Sequence, residues 1–213
     1  KLLGACTDRV AVYSSGGYYR QGETFQQMAD EMAGIVARGF ETIKIKVGAL
    51  SFKEEVERVR TLRRTVGDEV EILVDANTGY TVDDVRRVMP AYEELQIGWL
   101  EEPFPAQDYR SYQTAASLGT TPLAAGENHY TRFEFNRVIE DGSIGVLQPD
   151  LSKTGGITEG LRIAAMAAAD KLTIKPHTSA GGPNTSAGIH FPCAHDNGGR
   201  FGGARPEGKP VPG

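Results

Sequence analysis

The sequence predicts an α/β fold, a (β/α)8 barrel of the TIM type, and three observations support this prediction. Short apolar runs rich in β-branched residues alternate with longer amphipathic runs along the chain. The polar residues that follow successive predicted strands recur every 23 to 29 positions, which is about the length of a strand, a helix and two loops. No glycine-rich phosphate-binding fingerprint follows the first strand, so an open nucleotide-binding sheet is disfavoured.

Seven short runs bounded by turn residues are predicted to be the barrel strands. They are Val10–Tyr13, Thr42–Val47, Glu71–Val74, Ile97–Leu100, Pro122–Ala125, Ile144–Leu147 and Leu172–Lys175. An eighth strand is expected near Gly198–Phe201. The sequence after it has no helical pattern, so the barrel is expected to be incomplete at its last βα unit.

Helices between these strands are predicted from capping residues and apolar spacing. The first begins with a capping box at Thr24 and Gln27, and the third begins with a similar box at Thr81 and Asp84. The Ala-rich stretch Gly160–Asp170 is predicted to be a closely packed helix. The second helix carries one apolar stripe, made of Phe52, Val56, Val59, Leu62 and Val66.

Composition indicates a globular chain of ordinary domain size. The 213 residues include 23 Lys+Arg and 28 Asp+Glu, and the net charge of -5 argues against a nucleic-acid surface. No apolar run approaches the ~20 residues of a membrane-spanning helix. Two cysteines, Cys6 and Cys193, cannot form a disulfide framework, so a cytoplasmic protein is expected. One barrel domain is predicted over residues 1–203, followed by a Gly/Pro-rich tail over 204–213.

The second predicted strand carries two lysines, Lys44 and Lys46, on one face. Side chains alternate along a strand, so Ile43, Ile45 and Val47 share the face that packs against the helices of a barrel. Both lysines are then expected inside the barrel, and an edge strand with solvated lysines is the alternative. Burial and mutual repulsion are expected to lower the pKa of one lysine toward that of a working base.

Three acids follow consecutive predicted strands: Asp75, Glu101 and Glu127. Any one of them alone is more often a helix cap or a solvated loop acid. Three at regular spacing are expected to converge at the barrel mouth, where a bound cation relieves their repulsion. Oxygen ligands of this kind suit Mg²⁺. Spacing does not choose between Glu101 and its neighbour Glu102.

Asp150 and His177 follow the sixth and seventh predicted strands. An aspartate beside a histidine orients the ring and raises its basicity, so the two are predicted to form an acid–base pair. Lys153 and Lys175 are assigned to packing. The remaining histidines, His129, His190 and His195, are predicted to be structural.

Taken in order, these motifs resemble the enolase superfamily, and most closely its mandelate racemase branch with the acid-sugar dehydratases. The resemblance extends from residue 1 to about residue 201, over the motifs Lys44-x-Lys46, Asp75-x-Asn77, Glu101-Glu102-Pro103, Gly126-Glu127-Asn128, Asp150 and His177. It implies that Asp75, Glu101 and Glu127 bind Mg²⁺, which selects Glu101 over Glu102.

The same resemblance implies a role for each remaining polar residue of the motifs. Lys46 would be the base on one face of the substrate, and the Asp150–His177 pair would act on the other face. Lys44 would support the substrate carboxylate, and Asn77 would lie close to it. The partner is then a small-molecule carboxylate.

The implied reaction removes the proton next to a carboxylate, with Mg²⁺ stabilising the enediolate that forms. Proton transfer from His177 to a leaving β-hydroxyl would make it the dehydration of a sugar acid. We favour this lyase reaction because four polar residues after the first strand suit a polyhydroxylated substrate: Ser14, Ser15, Tyr18 and Tyr19. Return of a proton to the same carbon would make the protein a racemase or epimerase of a 2-hydroxy or amino acid.

The sequence departs from the family in two places. Members normally carry an N-terminal α+β capping domain, which is expected to be absent here, and an acid after the eighth strand, where this chain has Gly202-Gly203. A truncated, inactive metal-binding homologue is therefore a second function class, and a barrel enzyme with a Schiff base on Lys46 is a third. A homo-oligomer is expected, because an uncovered barrel mouth would expose apolar surface.

Overall fold

The computed structural model describes residues 3–4, 7–179 and 181–194. The chain divides into two compact units, which we name the N-terminal unit (residues 12–122) and the C-terminal unit (residues 123–194 with the described residues up to 11). The expected eighth strand, the tail over 204–213 and Cys6 lie outside the described residues. Within the described ranges, no helix is both long and apolar enough to cross a membrane.

The N-terminal unit contains four strands that alternate with four helices. Its elements are β1 (Ser14–Gly16), α1 (Phe25–Ala37), β2 (Thr42–Lys46), α2 (Phe52–Val66), β3 (Glu71–Asp75), α3 (Val82–Glu94), β4 (Ile97–Glu101) and α4 (Tyr109–Ala116). The strands pair in parallel and in chain order. Parallel strands joined by helices are the repeat of a barrel or of a doubly wound sheet.

The C-terminal unit continues the same alternation. Its elements are β5 (Leu123–Ala125), α5 (Thr131–Asp141), β6 (Val146–Leu147), α6 (Gly156–Ala169), β7 (Thr173–Ile174) and α7 (Gly182–His190), followed by a 3-10 turn at Pro192–Ala194. These strands are also parallel and paired in chain order. Seven βα repeats are thus described, and the predicted α/β fold class, an incomplete TIM-type barrel, is confirmed.

The first strand is the one strand that the sequence misplaced. The structure puts β1 at Ser14–Gly16, whereas the apolar run Val10–Tyr13 precedes it and Val12 is 52% exposed. Glycine is needed directly after β1, because Gly17 has φ 56° and a Cβ there would lie 2.6 Å from Cγ2 of Ile45. Residues that permit this close packing have low strand propensity, so the strand was missed.

The predicted capping boxes at Thr24 and Thr81 are both present, and Ser51 begins α2 with a third. Of the predicted apolar stripe on α2, Val56, Val59 and Leu62 are buried. Phe52 is instead 42% exposed, because it is the first residue of the helix and lies beside the loop. The predicted helix is therefore confirmed, and the buried part of its apolar stripe lies in the central turns.

Candidate active site

Strands β2, β3 and β4 bring two lysines and two carboxylates together in the N-terminal unit. Lys46 is paired in register with Asp75, and Asp75 is paired in register with Glu101. Lys44 lies two residues before Lys46, so both lysine side chains extend from the same face of β2. The predicted common face of the lysines is confirmed, and the solvated edge-strand alternative is wrong for Lys44, which is only 2% exposed.

The four side chains form a connected ion-pair cluster, which we call the lysine–carboxylate cluster. The Lys46 ammonium donates to Oδ2 of Asp75 at 2.6 Å. The Lys44 ammonium lies 3.3 Å from the same oxygen and donates a short hydrogen bond to Oε1 of Glu101. The backbone N–H of Asn77 donates to the other oxygen of Asp75 at 3.0 Å. Both carboxylates are therefore held by positive charge and by hydrogen bonds at the ends of their strands.

The charges of this cluster stabilise one another. Burial lowers the pKa of Lys44, but attraction by Glu101, Tyr13 and Asp75 outweighs burial and raises the pKa above its ordinary value. Burial raises the pKa of Asp75, but Lys44 and Lys46 outweigh it, so the pKa lies below its ordinary value. Lys44 is therefore not a lysine with a lowered pKa, because adjacent carboxylates favour its charged form more than burial disfavours it.

Two aromatic residues that the sequence did not single out pack against the cluster. The indole N–H of Trp99 donates to Oε2 of Glu101 at 3.0 Å. The Tyr13 ring stands edge-on to Trp99, with centroids 5.6 Å apart, and lies 5.4 Å from the Lys44 ammonium. Burial, as the largest cause, raises the pKa of the Tyr13 hydroxyl to about 12. These rings separate the carboxylate of Glu101 from water on one side.

The predicted substrate contacts differ in their surroundings. Asn77 is exposed just after β3, in a left-handed conformation with φ 41°. Tyr18 is 50% exposed, with its ring 5.9 Å from the Lys46 ammonium. The hydroxyl of Tyr19 instead donates a short hydrogen bond to Glu55 on α2. Tyr19 is thus engaged by the loop and helix that follow β2, whereas Asn77 and Tyr18 remain open to solvent.

The expected polar loop after the first strand is only partly a loop. Ser14 and Ser15 belong to β1 itself, so their expected place after the strand is wrong.

Glu102 follows β4 in a left-handed conformation with φ 38° and is 1% exposed.

The C-terminal unit contains a second polar cluster, the histidine cluster, at the ends of β5, β6 and β7. Nδ1 of His177 lies 2.8 Å from Oδ2 of Asp150, and a β-bridge links the two residues. The other ring nitrogen, Nε2, lies 3.1 Å from Oε2 of Glu127. The predicted proximity of Asp150 and His177 is confirmed, and Glu127 joins them.

The second oxygen of Asp150 is held by two residues that sequence reasoning missed. Oδ1 accepts from the backbone N–H of Ser152 at 2.8 Å, from its hydroxyl at 2.6 Å and from the Asn184 amide at 3.1 Å. Burial raises the pKa of Asp150, but the hydrogen bonds from Ser152 and His177 outweigh it and bring the pKa below its ordinary value. Asp150 is therefore ionised at neutral pH and accepts at both oxygens.

A glycine allows β5 to deliver Glu127 to this cluster. Gly126 has φ 149°, and a Cβ there would lie 2.5 Å from the backbone nitrogen of Gln148 after β6. No other residue type fits such a close backbone approach without displacement. The Gly-Glu order in the sequence thus has a physical cause.

The residues assigned to packing or structure occupy varied positions. The Lys153 ammonium donates to the side-chain oxygen of Asn128 at 3.0 Å, beside the histidine cluster rather than within it. Lys175 is partly buried immediately after β7. His129 is 1% exposed and packs against Phe135, with ring centroids 5.7 Å apart. His190 ends α7, and His195 lies outside the described residues.

The donor chemistry of Asp75, Glu101 and Glu127 fits a hard divalent cation. Each offers a carboxylate oxygen as a metal ligand, and an all-oxygen set favours Mg²⁺ over softer metals. The side chains of Asp75 and Glu101 are fully buried, and Oε2 of Glu127 is also inaccessible to solvent. Buried carboxylates need cationic partners, and the two lysines supply them to Asp75 and Glu101.

Comparison with known proteins identifies relatives over almost the whole chain. Residues 27–202 match the family described as "Enolase C-terminal domain-like". The arabinonate dehydratase of Saccharolobus solfataricus is 36% identical over 194 residues, covering 91% of this chain and 52% of that protein. The chain thus spans about half the length of the curated relatives it matches.

Solved structures give the same result. A member of the enolase superfamily from Polaromonas sp. JS666 is 48% identical, with a TM-score of 0.87 over 92% of this chain and 52% of its own. The L-talarate dehydratase of the same organism, solved with Mg and L-glucarate, is 29% identical, with a TM-score of 0.83 over 92% of this chain and 54% of its own.

Proposed function

The chain belongs to the enolase superfamily, in the branch of mandelate racemase and the acid-sugar dehydratases. We propose that it removes the proton α to the carboxylate of a sugar acid and expels the β-hydroxyl as water. The observation that carries the proposal is the hydrogen bond between Asp150 and His177, which equips a histidine for proton transfer. The names of the similar dehydratases favour loss of water over racemisation.

Asp75, Glu101 and Glu127 are proposed as the ligands of a Mg²⁺ ion. Mg²⁺ bound there would stabilise the negative charge that develops on the substrate carboxylate as the α-proton leaves. A neighbouring lysine supports the same charge, since the side chain of Lys44 is only 3% exposed and its pKa is raised, so it remains a cation. A fixed positive charge in a water-poor site stabilises an enediolate more than the same charge does in water.

Lys46 is the proposed base. Its side chain is 22% exposed, against 3% for Lys44, so it is the lysine that a substrate can reach. Its ammonium has one carboxylate partner in the described structure, Asp75 at 2.6 Å. If Asp75 turns toward a metal ion, this pairing weakens, and the lysine becomes free to exchange a proton with the substrate.

His177 is the proposed acid. With Nδ1 donating to Asp150, the proton that reaches the substrate is carried by Nε2. Transfer of that proton to the β-hydroxyl breaks the C–O bond, and the electron pair of the enediolate forms the new double bond. The products are water and an enol, which rearranges to a 2-keto-3-deoxy acid.

The test is incubation with arabinonate and galactonate in D₂O containing Mg²⁺, followed by NMR. The proposal predicts consumption of at least one acid and deuterium at C3 of a 2-keto-3-deoxy product, with a loss of about 10²- to 10⁴-fold in Lys46→Met. Lys53→Met, at an exposed position of α2, is the matched control that keeps full activity. Deuterium at C2 of unconsumed acid, together with inversion of configuration at C2, would instead favour the racemase alternative.

If neither acid is consumed or exchanged, the proposal for an active chain is contradicted. Thermal stabilisation by Mg²⁺ that disappears in Glu127→Gln would then support the inactive metal-binding homologue.

A further inference from the structure

The Asp150 carboxylate accepts hydrogen bonds on both oxygens, and one donor comes from a helix outside the sequence motifs. Asn184 lies on α7, in a polar segment without apolar periodicity, and its amide donates to Oδ1 at 3.1 Å. Asn184 is 7% exposed. A buried amide committed to a charged acceptor is a stronger contact than a neutral surface hydrogen bond.

We propose that Asn184 is a positioning residue, which together with Ser152 fixes the Asp150 carboxylate so that its Oδ2 holds the Nδ1–H of His177 and Nε2 is the nitrogen that exchanges a proton. Asn184 donates to Asp150, and Asp150 contacts the ring, so Asn184 acts through Asp150. The effect of Asn184 on catalysis rests on the proposed function. Its effect on the His177 ring rests on the described hydrogen bonds alone.

Ser152 alone holds the Asp150 carboxylate only relative to its own loop. Its N–H and hydroxyl both belong to the residue two positions after Asp150, so both donors move with the loop that carries the carboxylate. Asn184 reaches the same oxygen from α7, 34 positions along the chain. A donor from this separate element restrains the carboxylate independently of its own loop.

The hydrogen bonds to Oδ1 of Asp150 determine which carboxylate oxygen contacts the His177 ring. Oδ1 accepts three hydrogen bonds, so Oδ2 is the oxygen left for the ring. An ionised carboxylate has no proton to give, so Nδ1 must be the donor. Nδ1 therefore keeps its proton, and Nε2, which lies 3.1 Å from Oε2 of Glu127, is the ring nitrogen whose proton is exchanged.

Asn184→Asp tests the proposal at constant size, because it exchanges a donor for an acceptor beside Asp150. We expect kcat for sugar-acid dehydration to fall about 10- to 100-fold, the usual cost of losing a residue that orients a catalytic group. KM should stay within about threefold, because substrate contacts are unchanged. Activity relative to the parent should recover as the pH is lowered, since the introduced carboxyl becomes a donor again on protonation.

Asn136→Ala is the matched control. Asn136 also donates to a carboxylate, that of Glu140, but on the exposed face of α5. This variant should keep the parent kcat. Ser152→Ala should lose less than Asn184→Asp, because the backbone N–H of residue 152 still donates.

A second measurement does not need activity. The ¹⁵N signals of the His177 ring, identified by their loss in His177→Asn, report which nitrogen carries the proton at alkaline pH. The parent should show Nδ1–H, and Asn184→Leu should show a mixture of tautomers. Unchanged ring signals in a folded Asn184→Leu would overturn the positioning role, as would a parent-like kcat in Asn184→Asp. If the parent itself is inactive, the proposed function fails and the ring signals alone decide this inference.

Discussion

The two polar clusters at the strand ends balance their charge in different ways. In the lysine–carboxylate cluster, Lys44 and Lys46 contact two carboxylates, so cations and anions are equal in number. In the histidine cluster, one ring lies between the carboxylates of Asp150 and Glu127, and neutral donors supply the other contacts. The first cluster depends on charge, and the second depends on the direction of hydrogen bonds.

This difference indicates which property each cluster contributes. Opposite charges packed in a dry interior stabilise each other strongly, so removing one partner leaves an uncompensated charge. Neutral donors around a carboxylate cost less to lose, but they determine where its free lone pairs point. We therefore expect variants of the first cluster to change stability most, and variants of the second to change activity with less loss of stability.

The largest expected effect on stability follows from Lys44→Met. The variant leaves Glu101 buried without its ammonium partner, and the free energy of unfolding should fall by about 3–5 kcal/mol. His177→Asn should cost less than about 1.5 kcal/mol, because Asp150 keeps its donors from Ser152 and Asn184. Urea denaturation measures both, with the exposed Lys53→Met as control. Equal losses in the two variants would remove the distinction between the clusters.

A smaller effect is expected in the dependence of stability on pH. The raised pKa of Lys44 contributes stability that is complete below the ordinary lysine value of about 10.4 and is lost as the pH rises above it. The lowered pKa values of Asp75 and Asp150 contribute stability that is present above about 4 and is lost as the pH falls below it. The first cluster should therefore weaken at both extremes, and the second only in acid.

Denaturation series across the pH range separate these contributions. Lys44→Met should remove the decrease in the free energy of unfolding at alkaline pH. Asp150→Asn should reduce the decrease at acid pH and leave the alkaline decrease unchanged. If Lys44→Met loses as much stability at alkaline pH as the parent, a group other than Lys44 causes that loss.

Strand parity was sufficient to predict the lysine pair and the acids at the strand ends. Alternation along β2 places Lys44 and Lys46 on one face, and regular spacing identifies Asp75, Glu101 and Asp150. These predictions depend only on local geometry, which a sequence pattern records. Spacing did not choose between neighbours at the end of β4, and the family resemblance was needed there.

The rest depends on contacts that no local pattern records. Tyr13 was predicted to end the first strand but lies just before β1, because Gly16 in β1 and Gly17 after it weaken the strand pattern. Asn184 lies in a Gly- and Ser-rich stretch that resembles a loop, yet it contacts a carboxylate 34 positions away. A lowered pKa was predicted for one lysine of the pair, and the carboxylates of Glu101 and Asp75 raise the pKa of Lys44 instead. Self-association and the cytoplasmic location remain predictions.

Mg²⁺ affinity, measured by calorimetry, tests the central claim most directly. The claim is that Asp75, Glu101 and Glu127 act as ligands of one ion. It predicts that the parent chain binds one Mg²⁺ and that Glu101→Gln and Glu127→Gln each bind at least about tenfold more weakly. Glu140→Gln, on the exposed face of α5, should bind like the parent. Parent-like affinity in Glu127→Gln, or no binding by the parent, would contradict the claim.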